Sequence, residues 1–168
     1  MNLWQSDKVR KGALPAYQYL YRKLTMSTPP HLLKYVYKAI FRVTCFAYKC
    51  EISTAVRIGA GLYIGHPYCI TINPKVTIGC NCNIHKGVTI GQENRGRRKG
   101  VPVIGNRVWI GVNSTIVGGI TIGDDVLIAP NSYVNCDIPA HSVVFGNPCI
   151  IKQREKATEG YINNTVSI

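Results

Sequence analysis

Isoleucine and valine recur at every sixth position through the middle of the chain. The series runs Ile52, Ile58, Ile64 and Ile70, then Ile72, Ile78, Ile84 and Ile90, and after a break Ile104, Ile110, Ile116, Ile122, Ile128 and Val134. A second branched residue stands two positions ahead of many of them, as at Val56, Val76, Val88, Val108, Ile120 and Val126. A period of six matches neither the 3.6 of a helix nor the alternation of a lone strand. Short strands joined by turns, stacked so that every sixth side chain enters a shared interior, do produce it, and this predicts a β-helix built of hexapeptides. The competing all-β reading is a sandwich, whose turn signals come about every 8–12 residues, a spacing this stretch does not keep.

Ahead of the beat, Leu14 to Met26 and Pro30 to Tyr48 read as two helices, separated by Ser27-Thr28-Pro29-Pro30. Leu33, Val36, Tyr37, Ile40, Phe41 and Cys45 form an apolar stripe on the second, expected to cover the open first coil, because such ends need caps. Between Ile90 and Ile104 the chain is too polar and glycine-rich for another coil, so residues 92–101 are expected to protrude as a loop. After Val134 the pattern relaxes, and from about Glu155 a loose polar tail is expected. The organisation predicted is a helical segment over 1–49, the β-helix over 50–150 and a tail over 151–168.

At 168 residues the chain makes one domain with appendages, and no apolar run approaches a membrane span. Met1 to Gly12 is polar and basic, without the apolar stretch of a signal peptide. Seven cysteines, an odd count with no C-x-x-C pair, point to a reduced, cytoplasmic protein lacking a disulfide framework or a zinc site. Net charge is +12, and before residue 50 Asp7 is the lone acid. The nine cations there read as the solvated faces of amphipathic helices. Peripheral contact of this basic N-terminus with an anionic membrane surface is the second reading. No nucleic-acid-binding motif accompanies the charge.

From Cys50 to Ile150, about 100 residues, the chain resembles the hexapeptide-repeat acyltransferases and is most similar to the serine acetyltransferases. The strings that carry this are EISTAVRIGAGLYIGH, NIHKGVTIG, the loop ending in Pro102, VWIG with VGGITIG, and PAHSVVFGNP. The resemblance implies a left-handed parallel β-helix of triangular section, assembled as homotrimers with active sites between neighbours. The hand comes from the resemblance alone, since parallel connections are ordinarily right-handed. It also implies acetyl-coenzyme A as co-substrate and no metal.

Acetyl transfer to a hydroxyl needs a base, a donor for the tetrahedral oxyanion and a hold on coenzyme A. His66 matches the family's catalytic histidine, and Glu51 stands where that family has an Asp partnering it. His85 is the rival base or a substrate contact. Gly91 resembles a glycine whose surroundings offer backbone N–H groups to the oxyanion. Gly111, Val112 and Ala129 match positions along the pantetheine groove. By charge alone, Lys152 suits the coenzyme's phosphates, and Arg97 and Arg98 suit these or the substrate.

Gly65, Gly100 and Val101 occupy positions where serine acetyltransferases carry an Asp, an Arg and a His. The partners expected for an amino acid's charged ends are therefore missing, and the acceptor expected is a sugar of a surface-polysaccharide pathway, with serine as the alternative. From another class, the alternative is a non-catalytic β-helix scaffold. A metal-dependent hydratase would need three neutral histidines, and only His66 and His85 fall on adjacent coils.

Overall fold

The computed structural model describes residues 2–12, 14–26 and 30–167, with backbone alone for Lys11 and His31. The beat folds into coils of three short strands. The first coil holds β1 (Glu51–Ile52), β2 (Arg57–Ile58) and β3 (Tyr63–Gly65), and the second β4 (Thr71–Ile72), β5 (Thr77–Ile78) and β6 (Asn83–His85). The third holds β7 (Thr89–Gly91), β8 (Val103–Ile104) and β9 (Val108–Ile110), and the fourth β10 (Thr115–Val117), β11 (Thr121–Ile122) and β12 (Val126–Ile128). Then come β13 (Tyr133–Val134), β14 (Ser142–Phe145) and β15 (Ile150–Gln153). Equivalent strands pair in parallel into three sheets: β1-β4-β7-β10-β13, then β2-β5-β8-β11, then β3-β6-β9-β12-β14, which β15 joins antiparallel.

Register explains the period. Ile52, Ile72, Ile90, Ile116 and Val134 are aligned neighbours up one sheet. Ile64, Ile84, Ile110, Ile128 and Val144 align up another. All ten are buried. Each fully buried isoleucine contributes roughly 1.5–3 kcal/mol relative to exposure. Residues 92–101 leave the prism, as expected, and form a short hairpin in which Glu93 and Gly100 exchange backbone hydrogen bonds of 2.9 and 3.0 Å.

Three helices precede the prism: α1 (Leu3–Lys11), α2 (Ala16–Met26) and α3 (His31–Tyr48). α1 falls in the stretch for which the sequence offered no element. It starts with a capping box, Asn2 accepting from the Gln5 N–H and Gln5 from that of Asn2. α2 caps the first coil, and the apolar stripe of α3 shares in this only through Phe41, Tyr37 and Cys45. Tyr17, Leu20 and Tyr21 of α2 enter the core; on α3 Phe41 is buried and Tyr37 and Cys45 pack half-buried against the core, whereas Leu33, Val36 and Ile40 stay exposed.

A first coil has no coil before it, so its outward N–H and C=O groups need other partners. Side chains of α1 and α2 provide them. Arg22 donates to the carbonyls of Ile58 and Gly59 (both 2.7 Å), Tyr21 to that of Val56 (2.6 Å), Gln18 to that of Leu62 (3.1 Å), and Arg10 to that of Gly61 (2.6 Å). Asp7 accepts from the Leu62 N–H (2.9 Å) and pairs with Arg22 at 2.7 Å. Arg10 and Arg22 are thus buried caps, not part of a solvated basic face.

The C-terminal segment is not loose. Asp125 accepts from the backbone N–H groups of Ala157 and Thr158 (3.1 Å each) and from the Thr158 hydroxyl (2.6 Å). Further on, Val166 and the Asn81 side chain exchange two 2.9 Å hydrogen bonds, returning the tail to the second coil. Its polar composition hid this, because the partners lie 32–85 residues away.

Candidate active site

The strands β3, β6, β9 and β12 end at one edge of the prism. Past these ends stand His66, Lys86, Gly111 with Val112, and Ala129, one coil after another. Turn-to-turn hydrogen bonds lock them in file. The Gly87 N–H donates to Tyr68 (3.0 Å), the Asn113 N–H to Lys86 (3.0 Å), and the Asn131 N–H to Val112 (2.9 Å). Three coil steps place Ala129 roughly 14 Å along the edge from His66. Gly111 packs so closely on the next coil that a Cβ there would meet the Pro130 nitrogen at 2.5 Å. The expected base and the expected pantetheine track therefore share one edge.

His66 is exposed and sits in the left-handed region, with φ of 54°. Its carbonyl accepts from the Tyr68 N–H (2.8 Å), which fixes the corner. Glu51 opens β1, tied through its N–H to the Ile70 carbonyl (2.8 Å) at the end of that same corner. The two side chains share the edge but form no ion pair with each other within this chain.

A groove of about 750 Å³ runs between α3 and the face of β1, β4 and β7. Lys38, Phe41, Arg42 and Cys45 form its helical wall, and Glu51, Thr71, Asn73 and Gly91 its sheet wall. Gly91 closes β7 at the far edge of this sheet from His66. A Cβ there would stand 3.3 Å from Val117, so glycine keeps the groove clear. Lys38 and Arg42 have no side-chain partner among the described residues. The sequence reading passed over both as site residues, although their i, i+4 spacing put two cations on one helix face. Burial raises the Cys45 thiol to about 11, so it enters this groove as a neutral group.

His85 is held differently from His66. Its Nδ1 lies 3.0 Å from the Ile110 carbonyl, which requires that nitrogen to carry the proton. The ring packs on Trp109 at a centroid distance of 4.6 Å. With Arg10, Tyr63, Asn83 and Tyr161 it lines a second cavity of about 260 Å³ on the β3-β6-β9 face.

Arg97 and Arg98 are exposed on the hairpin and, with Glu93 and Arg95, surround a separate concavity of about 470 Å³. They are not brought to the groove that holds Glu51. Lys152 lies exposed on β15 opposite Val143, its ammonium 5.7 Å from the Phe145 ring. Among the described residues, no group of three or more His, Cys, Asp or Glu could hold a metal ion.

Residues 102–136 match the family described as bacterial transferase hexapeptide (six repeats). A serine acetyltransferase of Helicobacter pylori is 34% identical over 113 residues, which cover 67% of this chain and 66% of that protein. One of Staphylococcus aureus is 38% identical over 117 residues, covering 69% and 55%. The crystal structure of the Neisseria gonorrhoeae serine acetyltransferase in complex with serine aligns with a TM-score of 0.65 at 26% identity, over 89% of this chain and 66% of that one. The chain spans just under two thirds of the first relative and about half of the second. All three carry serine in their names.

Proposed function

The chain belongs to the hexapeptide-repeat acyltransferases, and from that premise we propose that it moves an acetyl group from acetyl-coenzyme A to an acceptor hydroxyl, with His66 as general base. The observation that carries this reading is the single file of His66, Gly111, Val112 and Ala129 along one prism edge. A thioester arm lying along that edge would end at the imidazole.

His66 takes the hydroxyl proton as the oxygen attacks the thioester carbon. Backbone N–H groups near Gly91 receive the oxyanion, and collapse expels the coenzyme thiolate, to which His66 returns the proton. Glu51 orients the imidazole, its exposed carboxylate swinging towards the corner. In one chain His66 and Gly91 stand at opposite edges of a sheet. A homotrimer with clefts between copies, in which a neighbour completes the site, is therefore part of the proposal. Lys152 and the arginines Arg97 and Arg98 remain available to the coenzyme's phosphates.

Serine is the acceptor the relatives' names favour. A sugar hydroxyl is the second reading, and two glycines support it. Gly65 leaves no room for a side chain beside His85, and Gly100 has φ of 143° with Gly119 against it, where an arginine would be strained. Seven cysteines without a disulfide fit a reducing, cytoplasmic setting. The test is coenzyme A release from acetyl-coenzyme A with L-serine and with a panel of sugars and nucleotide sugars. Turnover with serine alone upholds the first reading, turnover with a sugar alone the second, and turnover with neither removes both.

A further inference from the structure

We propose that α3 docks on an anionic lipid surface through its outward face, laying the helix flat along the membrane. This inference stands apart from the acceptor reading and rests on the face itself.

α3 turns Phe41 inward and leaves the opposite side uncovered. Leu32 is 81% exposed, Phe46 73%, Val43 67% and Tyr35 61%, with Val36 and Ile40 close behind. At about 100° per residue, Leu32, Val36, Ala39 and Val43 fall in one narrow sector, flanked by Tyr35 and Phe46 on one side and Ile40 on the other. Single exposed apolar residues are ordinary, but a contiguous stripe along eighteen helical residues marks a contact surface. The helix is too short in continuous apolar character to cross a bilayer: no helix among the described residues is long and apolar enough to do so.

The charges say what covers the stripe. Lys34, Lys38, Arg42 and Lys49 lie together along one flank, and no acid occurs between Asp7 and Glu51. Lys49 sits 3.9 Å from the centre of the Phe46 ring, bringing cation and apolar edge together. A two-fold contact between copies of this face would set four cations against four with no acid to pair them. The remainder of the chain, from Glu51 onward, carries eleven cations and seven acids, so it too is net basic. Nucleic acid would satisfy the cations but not the apolar stripe. A bilayer with anionic headgroups satisfies both: phosphates meet the lysine and arginine flank while the apolar sector enters the acyl boundary. Lys38, Arg42 and Phe46 also line the groove that holds Glu51 and Gly91, so the cationic flank borders that groove.

The experiment is co-sedimentation of the full chain with vesicles of phosphatidylcholine alone or with added phosphatidylglycerol, at low salt and at about 0.5 M salt. The variant pair is Leu32→Asp with Val43→Asp, both outside the groove, with melting temperature and molar mass measured alongside. The expected result is binding to the phosphatidylglycerol vesicles, weakened about tenfold or more without the anionic lipid and by the double variant, at unchanged mass. If the double variant melts early, Lys34→Gln with Lys49→Gln carries the test through loss of the salt-sensitive binding. No binding to anionic vesicles, or binding the variants leave intact, overturns the proposal. A change of molar mass in the double variant, without vesicle binding, identifies the face as a contact between copies instead.

Discussion

The imidazole of His85 occupies the space that a side chain at residue 65 would need. A Cβ on Gly65 would stand 2.7 Å from His85 Cδ2 and 2.8 Å from Nε2. The ring cannot easily give way, because its Nδ1 is fixed on the Ile110 carbonyl and its face packs on Trp109. Gly65 and His85 are register partners on β3 and β6, and Gly65 directly precedes His66. Any account of the acceptor must therefore treat the two as a unit.

From this unit, Gly65→Ala is expected to cost about 1–3 kcal/mol by overpacking. Placing it in a His85→Ala background should recover most of that loss. Urea unfolding of the four proteins in the cycle measures the coupling, and additive effects would show that the ring does not fill the site.

The stitch between Asp7 and Arg22 governs the open end of the prism. Asp7→Ala leaves the 1% exposed Arg22 side chain charged and unpaired and frees the Leu62 N–H. A loss of about 3–5 kcal/mol is expected, which is the range for breaking a buried ion pair. Chemical denaturation reads it directly, and a loss below about 1 kcal/mol would mean that water replaces the stitch.

Tail docking is expected to depend on acid. Burial alone would raise the Asp125 carboxyl, but the hydrogen bonds from Thr158, His141 and the N–H groups of residues 157 and 158 outweigh it and hold it below its ordinary 3.8. A lowered carboxylate lends stability in full above its unfolded value and loses it as pH falls through the folded one. The tail should therefore stay docked at neutral pH and release only as pH drops below that ordinary value. Tyr161 packs on Trp109 at 5.1 Å, so Trp109 fluorescence in a Trp4→Phe background follows the release. Asp125→Asn should remove this pH step and weaken docking by about 1.5–3 kcal/mol.

The interior was legible because its residues repeat: an inward isoleucine reports the same position in the next coil, as Ile72 announces Ile90 eighteen residues on. The cap was not, since periodicity marks α3 as apolar without saying that Tyr17, Leu20 and Tyr21 of α2 take the open coil. Arg10 and Arg22 looked like surface cations because a carbonyl partner such as that of Gly59 or Gly61 leaves no trace in side-chain pattern. Gly111 and Ala129, eighteen residues apart, could be placed on one edge by counting sixes, whereas His66 joins them through the register of β3 on β6 and β6 on β9. The separation of Glu51 from His66 could not, because it depends on where two exposed side chains turn. Asp125 gave no sign of its task, for its partners arrive from the far end of the chain.

The central claim is that His66 removes the acceptor proton. It is tested most directly by coenzyme A release from acetyl-coenzyme A, with the acceptor that supports turnover, in wild type and His66→Ala. Removal of a general base should lower kcat about 10²–10⁴-fold while the variant keeps its fold and its affinity for coenzyme A. Unchanged turnover in a folded His66→Ala protein would contradict the account and return attention to His85.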